Sequence, residues 1–256
     1  MIHCKEDAVA DYLAKLTEVE VAAFYRRLAN NISLQFKGDS LAATLLLHWL
    51  DGKGDVLVFP ARYVNTLLEV REYLRETARP IFLSQKATPS GGIGGVVPRI
   101  KGKIASNPPM GPYAMHLEGN VEASVSIQAK AYMGMAVDPR ELDALYALHG
   151  FTLISDVVAS ATPTSPPGSY QVKFTRWMCS TTDYYHWNPD KHISVPNPDF
   201  GSTASGAVAP KDREITVYHS NAIRVEKAGL AKPFTSRSEL WDESDPNVVG
   251  PATFRP

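Results

Sequence analysis

The residues best suited to chemistry occupy ten consecutive positions, Asp183-Tyr184-Tyr185-His186-Trp187-Asn188-Pro189-Asp190-Lys191-His192. They bring together two imidazoles, two carboxylates, a lysine and three aromatic rings. Imidazole titrates near neutrality, so a histidine oriented by a carboxylate can move protons at physiological pH. Asp183, His186, Asp190 and His192 are therefore candidate acid–base residues. His219, on the next strand candidate, could converge on them. His186, His192 and Asp190 also offer nitrogen and oxygen ligands to a metal, although their spacing matches no zincin pattern, and no cofactor is specified. A structural reading stands beside the chemical one. Asn188-Pro189-Asp190 favours a turn, flanking aromatics can anchor a loop to a core, and Asp183 can bond loop amides.

Other segments carry less chemistry. Ser90-Gly91-Gly92-Ile93-Gly94-Gly95 is glycine-rich, but it has neither the dinucleotide spacing nor the Lys-Ser/Thr of a P-loop, and Pro98 opposes a following helix. It reads as a mobile loop or an apolar turn touching a membrane. A G-x-S-x-G nucleophile elbow is absent, and Gly201–Gly206 reads as a flexible loop. Cys179 ends a strand-like run. With a distant histidine it could be a nucleophile, but a buried structural thiol is the commoner outcome. Cys4 and Cys179 form no CxxC or Cys/His spacing, so they indicate neither a structural zinc site nor a disulfide framework. His48, with Trp49, ends an apolar helix and can satisfy its last carbonyls.

The 256 residues carry 26 Lys+Arg against 27 Asp+Glu, a net charge of −1. A protein gripping phosphates would show a basic excess, and no aromatic–basic interleaving appears, so no nucleic-acid partner is expected. The 44% hydrophobic and 21% charged fractions exclude disordered and fibrous classes and suffice for a core without staples. Lys5, Glu6 and Asp7 interrupt any secretory h-region, and the longest apolar run, Leu41–Leu50, is too short to span a bilayer. The expectation is a chain made in the cytoplasm without a cleavable signal, with export, if any, by a specialised secretion system.

The elements that must position these residues follow from periodicity. Residues 1–83 read as a helical region: apolar spacings near three and four over Ala8–Asn30, a second helix Leu41–Leu50 capped by Asp39 or Ser40, and a third starting at Pro60 and ended by Pro80, with Val56–Phe59 a short strand between the last two. Residues 84–112 have linker or loop composition. Residues 113–235 form a β-rich region: alternation over Ala114–Ala129, a short helix from Pro139 to His149-Gly150, and paired strands Phe151–Val158 and Tyr170–Met178 joined by a long Thr162–Gly168 loop. Residues 183–213 read as irregular, Ile215–Tyr218 as a strand, and Asn221–Ala228 as a helix closed by Gly229. A polar tail covers 236–256. The class is α+β, a helical N-terminal layer followed by a β-rich, mainly antiparallel body with short helices, in one compact domain or several regions.

Four segments together resemble a known group: Leu46-Leu47-His48-Trp49-Leu50-Asp51-Gly52-Lys53-Gly54, Leu145-Tyr146-Ala147-Leu148-His149-Gly150-Phe151-Thr152, Asp183-Tyr184-Tyr185-His186-Trp187 and Ala228-Gly229-Leu230-Ala231-Lys232-Pro233-Phe234. The set is similar to poorly characterised domains of bacterial secreted effectors and polymorphic-toxin-type proteins. Those have Tyr-Asp-Trp where this chain has Tyr185-His186-Trp187. The resemblance implies context rather than chemistry: an effector or toxin-like protein acting on the envelope of a competitor or host, with a delivery-system component, a neutralising immunity protein and a membrane as the partners to expect. Strands with one apolar face allow a membrane-acting mechanism. A hydrolase using residues 183–192, or a non-enzymatic protein-binding module, are the alternatives.

Overall fold

The computed structural model describes residues 13–83, 111–122, 138–198 and 214–255. The glycine-rich segment 90–95, the loop 201–206, Cys4 and the second half of the expected strand, 123–129, lie outside them. Along the chain come helices α1 (Glu18–Gln35) and α2 (Leu41–Leu50), strand β1 (Leu57–Phe59), a 3-10 turn (Ala61–Tyr63), α3 (Leu68–Glu72), a π turn (Tyr73–Ala78) and α4 (Arg79–Leu83). Then follow β2 (Tyr113–Glu122), α5 (Pro139–Leu148), β3 (Gly150–Thr164), β4 (Ser169–Tyr185), β5 (His192–Pro196), β6 (Glu214–Tyr218) and α6 (His219–Lys227). Last are β7 (Phe234–Ser238), β8 (Trp241–Asp242), α7 (Pro246–Val249) and β9 (Ala252–Phe254). A mainly antiparallel sheet of seven strands runs β1-β7-β4-β3-β2, with β8 and β9 also on β4, while β5 and β6 form a separate antiparallel pair. This is the α+β class that the periodicity indicates.

The chain divides into two compact units, one built from 1–58, 136–149 and 183–236, the other from 59–135, 150–182 and 237–256. In the first, α1 begins at a capping box: the Glu20 amide donates to the Thr17 hydroxyl and the Glu20 carboxylate accepts from the Thr17 amide. Its buried stripe is Val21, Phe24, Tyr25, Leu28 and Ile32, which packs on α2 and α6. Helix α2 keeps the expected boundaries. Ser40 caps it by accepting from the Ala43 amide, and buried Asp143 of α5 adds a second cap from far along the chain. That carboxylate accepts from the Ser40 hydroxyl (2.6 Å) and the Leu41 (2.6 Å) and Ala42 (3.2 Å) amides. The orphan amides and positive end of α2 are thus answered by an anion, which fastens α5 to α2.

The second unit departs from the expected pattern in three places. The third helix is not continuous, and Pro80 does not end it: a π turn precedes α4, which carries Pro80 through to Leu83. A proline lacks the N–H that an α-helical bond to residue 76 requires, and a widened turn is one way a helix passes such a site. Strands β3 and β4 are far longer than expected, and their register runs to Thr164↔Ser169, so only residues 165–168 make the turn. Finally, the polar tail is ordered. It adds β8 and β9 to β4, buries Trp241 and Val248, and lays the buried Glu243 carboxylate on the Arg71 guanidinium, which also reaches Asp245. The β2 alternation places Tyr113, Met115, Leu117 and Val121 inward and His116, Glu118 and Asn120 outward. Its apolar face is therefore committed to a core. Gly119 is required by close approach, because the Tyr73 ring and hydroxyl occupy the place a Cβ would take. No helix among the described residues is long and apolar enough to cross a membrane.

Candidate functional site

All five predicted site residues belong to the first unit. They sit on the end of β4, the segment after it, and the β5–β6 pair with the start of α6. The 183–192 segment is less irregular than expected: Asp183 to Tyr185 finish β4, and His192 opens β5 opposite Tyr218. Strand alternation carries past the end of β4. Tyr184 and His186 face solvent with stacked rings (centroids 5.4 Å), while Asp183, Tyr185 and Trp187 are partly or wholly withdrawn.

The withdrawn side chains meet an aromatic cluster. Trp187 packs on Tyr25 (5.6 Å), Trp49 (5.5 Å) and Tyr185 (6.0 Å), and Tyr25 meets Trp49 edge-on at 5.3 Å. Such ring pairs each add about 0.5–1.5 kcal/mol beyond their area. The Trp49 indole N–H donates to Glu226 of α6 at 2.8 Å. His48, expected to serve the end of α2, instead places its ring on Phe234 (4.5 Å) and bonds Asp55 beyond the turn. Between the aromatic cluster and the β5–β6 pair lies a partly open hollow of about 40 Å³, floored by Leu28, Ile32 and Leu46 and walled by Tyr25, Tyr185, Trp187 and Val217.

The titratable groups around it differ in state. Burial pushes the Asp183 carboxyl up to about 6, against smaller opposing pulls from the Tyr184 amide and the His186 charge. His186 Nδ1 lies 2.8 Å from the Tyr184 carbonyl. A carbonyl only accepts, so the proton sits on Nδ1 and the Nε2 lone pair is left for other work. His219 is arranged oppositely. Its Nδ1 accepts from the Asn188 amide at 3.2 Å, so the neutral ring carries its proton on Nε2. Burial holds His219 below its ordinary pKa, and the charges of Lys191, His192 and His186 act in the same direction. Its ring stands edge-on to Trp187 at 4.8 Å. His219 is thus a neutral hydrogen-bond donor rather than a base.

The structure therefore brings Asp183 within electrostatic reach of His186, and His219 within reach of His186 and His192. His192 lies on the exposed rim with its ring tilted against Tyr218 (5.6 Å). Asp190 takes the structural part foreseen for its turn: its amide donates to the Asn188 side chain at 3.1 Å, and the Lys191 amide to the Asn188 carbonyl at 3.0 Å. Among the described residues no group of three His, Cys, Asp or Glu side chains could hold a metal ion, so His186, His192 and Asp190 do not assemble as ligands. Cys179, in the other unit, is buried beside Ser155 (3.7 Å), and burial pushes its thiol up to about 12, which suits structure and not nucleophilic attack.

Sequence reasoning missed Tyr25 and Glu226. In the sequence Tyr25 is only one residue of the helical stretch Ala8–Asn30, and Glu226 only one residue of the expected helix Asn221–Ala228. Only the meeting of α1, α2 and α6 with residues 185–187 gives either of them a role. No protein family matches the chain, and no curated protein or solved structure matches it either.

Proposed function

We propose that this is an effector-type hydrolase acting on a component of a competitor or host envelope, with an acid–base site at the end of β4. The observation that carries the catalytic part is the Asp183 carboxyl. Burial pushes it up to about 6, and it lies in electrostatic reach of an imidazole whose Nδ1 is engaged by the Tyr184 carbonyl, so that Nε2 is the nitrogen left to exchange protons. A carboxyl raised toward neutrality and an imidazole with one nitrogen free are the two parts that acid–base hydrolysis needs. In this reading His186 Nε2 takes a proton from water as its oxygen bonds the substrate carbonyl carbon. Asp183 gives its proton to the leaving group as the carbonyl–leaving-group bond breaks. Exchange with solvent then returns both to their starting states. The neutral His219 supplies an N–H donor on the rim, and His192 is a peripheral contact. The envelope target and the effector context come from the four-segment resemblance, and with them the expectation of an immunity protein and of membrane contact.

The test is expression of wild type, Asp183→Asn and His186→Ala in a bacterial host, directed separately to cytoplasm and periplasm, with growth and soluble yield followed. The reading expects growth arrest by wild type in the compartment facing the envelope, and loss of that arrest in both variants at equal yield. Arrest that survives both substitutions, together with dye release from liposomes, would move the protein to the membrane-acting class. No harm in either compartment would remove the toxin reading.

A further inference from the structure

The turn after β4 folds back on the start of α6 and gathers cationic side chains without a counter-charge. The His219 amide donates to the Lys191 carbonyl at 3.0 Å, His219 Nδ1 accepts from the Asn188 amide at 3.2 Å, and His192 lies opposite Tyr218 across the β5–β6 pair. The charges that act on the His219 ring are those of Lys191, His192 and His186, and no carboxylate is among them. Lys191, His192 and His186 are exposed, and among the described residues none of the four forms an ion pair. The neighbouring carboxylates are otherwise placed. Burial pushes Asp183 up to about 6, Glu226 on α6 accepts from the Trp49 indole, and Glu18 on α1 pairs with Arg224. Asp190 is exposed in the same turn but does not act on His219. Like charges held together disfavour one another, and an incoming anion relieves that cost. The donor among them is also within reach. With Nδ1 taken, half-buried His219 presents an Nε2–H that has no partner among the described residues and is not sealed from solvent. The cationic groups are an ammonium and imidazoles, with no arginine fork among them. Point charges of this kind suit the several oxygens of a tetrahedral oxyanion better than the two of a carboxylate.

We propose that Lys191, His192 and the His219 Nε2–H together seat a tetrahedral oxyanion, the phosphate group of a phosphoester, and that the seat tightens as the surrounding imidazoles gain protons. Imidazoles gain charge as pH falls below neutrality, and Asp183 loses its negative charge over the same interval, so both changes favour an anion at mildly acid pH. Calling the phosphoester a substrate rests on the hydrolytic reading, which it deepens by giving that substrate an anionic group within electrostatic reach of His186. Binding itself needs no turnover, so the two ideas can fail separately.

The experiment is an NMR titration of the full chain, following the histidine ring signals, with sodium sulfate against sodium acetate at constant ionic strength, at pH 6 and at pH 8. Sulfate stays a dianion across that range, so a change in affinity belongs to the protein. Sulfate should move the His219 and His192 signals saturably, bind about threefold or more tighter at pH 6 than at pH 8, and outbind acetate severalfold. Lys191→Ala should weaken sulfate binding about tenfold, while Lys173→Ala, which removes an exposed lysine of the other unit, should leave it unchanged. His192→Gln should reduce the pH dependence. Glycerol 3-phosphate should compete with sulfate. Co-sedimentation with phosphatidylglycerol vesicles but not with phosphatidylcholine vesicles would then assign the phosphate to a lipid headgroup, and its absence would assign it to a soluble phosphoester. No saturable shift, an equal response to acetate, equal affinity at both pH values, or equal weakening by Lys191→Ala and Lys173→Ala would each overturn the proposal. Asp183→Asn should bind sulfate at least as tightly as wild type does. Growth arrest that persists in that variant while sulfate still binds keeps the seat and removes the hydrolytic reading.

Discussion

Asp183→Asn should stabilise the protein, and should do so only above acid pH. In the unfolded chain this aspartate ionises near 3.8; in the folded protein burial moves the midpoint to about 6. Between those values the folded state binds more protons than the unfolded state, so the contribution of Asp183 to stability falls as pH rises and levels off above about pH 7. The full interval corresponds to about 3 kcal/mol, an upper value because Asp183 keeps some contact with water. Asparagine has nearly the same shape and does not ionise. The stability gained by the variant should therefore grow from about 0.5 kcal/mol at pH 4 to a ceiling of about 3 kcal/mol at pH 8. Urea denaturation of wild type and variant across that range isolates the term, because every other titrating group cancels in the difference. A difference that is the same at pH 4 and pH 8 would refute the reasoning, since the carboxyl would then not be held protonated by burial. The same proton explains the expected activity profile. If Asp183 is the acid, turnover should decline as pH climbs through about 6, so the variant trades function for stability.

Two further predictions concern the second unit. Arg71→Ala leaves the Glu243 carboxylate, 2% exposed, without its guanidinium and should cost about 3 kcal/mol. In a double-mutant cycle measured by chemical denaturation, the Arg71→Ala/Glu243→Ala pair should lose at least 1 kcal/mol less than the sum of the singles, and strict additivity would show that the pair does not hold the tail. The Cys179 thiol, buried and pushed up to about 12, should resist iodoacetamide at pH 8 in the native protein and react once urea unfolds it. Peptide mapping of the labelled cysteine reads this directly, and rapid native labelling would contradict the burial.

Local signals were enough for much of the architecture. Ser40 ahead of an apolar run gave α2 its boundaries, Pro139 at the first turn of α5 is preceded by Asp138 as cap, and Gly229, with a φ of +74°, closes the end of α6. The strand alternation Met115, Leu117, Val121 reads directly as the buried face of β2. These are decided by residues within one or two turns of each other, and the α+β class follows from them. The concentration of Asp183, His186, His192 and neighbouring aromatics was equally visible as composition.

Contacts between distant residues decided the rest. Nothing near position 143 shows that its carboxylate caps a helix a hundred residues earlier, and nothing in the polar tail shows that Glu243 will be buried on Arg71. The length of β3 and β4 depended on their pairing through Thr164 and Ser169, which a local reading of proline-rich sequence took as loop. At the site, the types of His186 and His219 are the same, and their roles differ only through hydrogen bonds: one ring gives its Nδ1 proton to a carbonyl, the other receives an amide at the same atom. Whether an aspartate is acidic or protonated near neutrality, and whether a tyrosine hydroxyl finds a partner, is settled by what packs around it. That surrounding is assembled from stretches of chain that lie far apart in sequence.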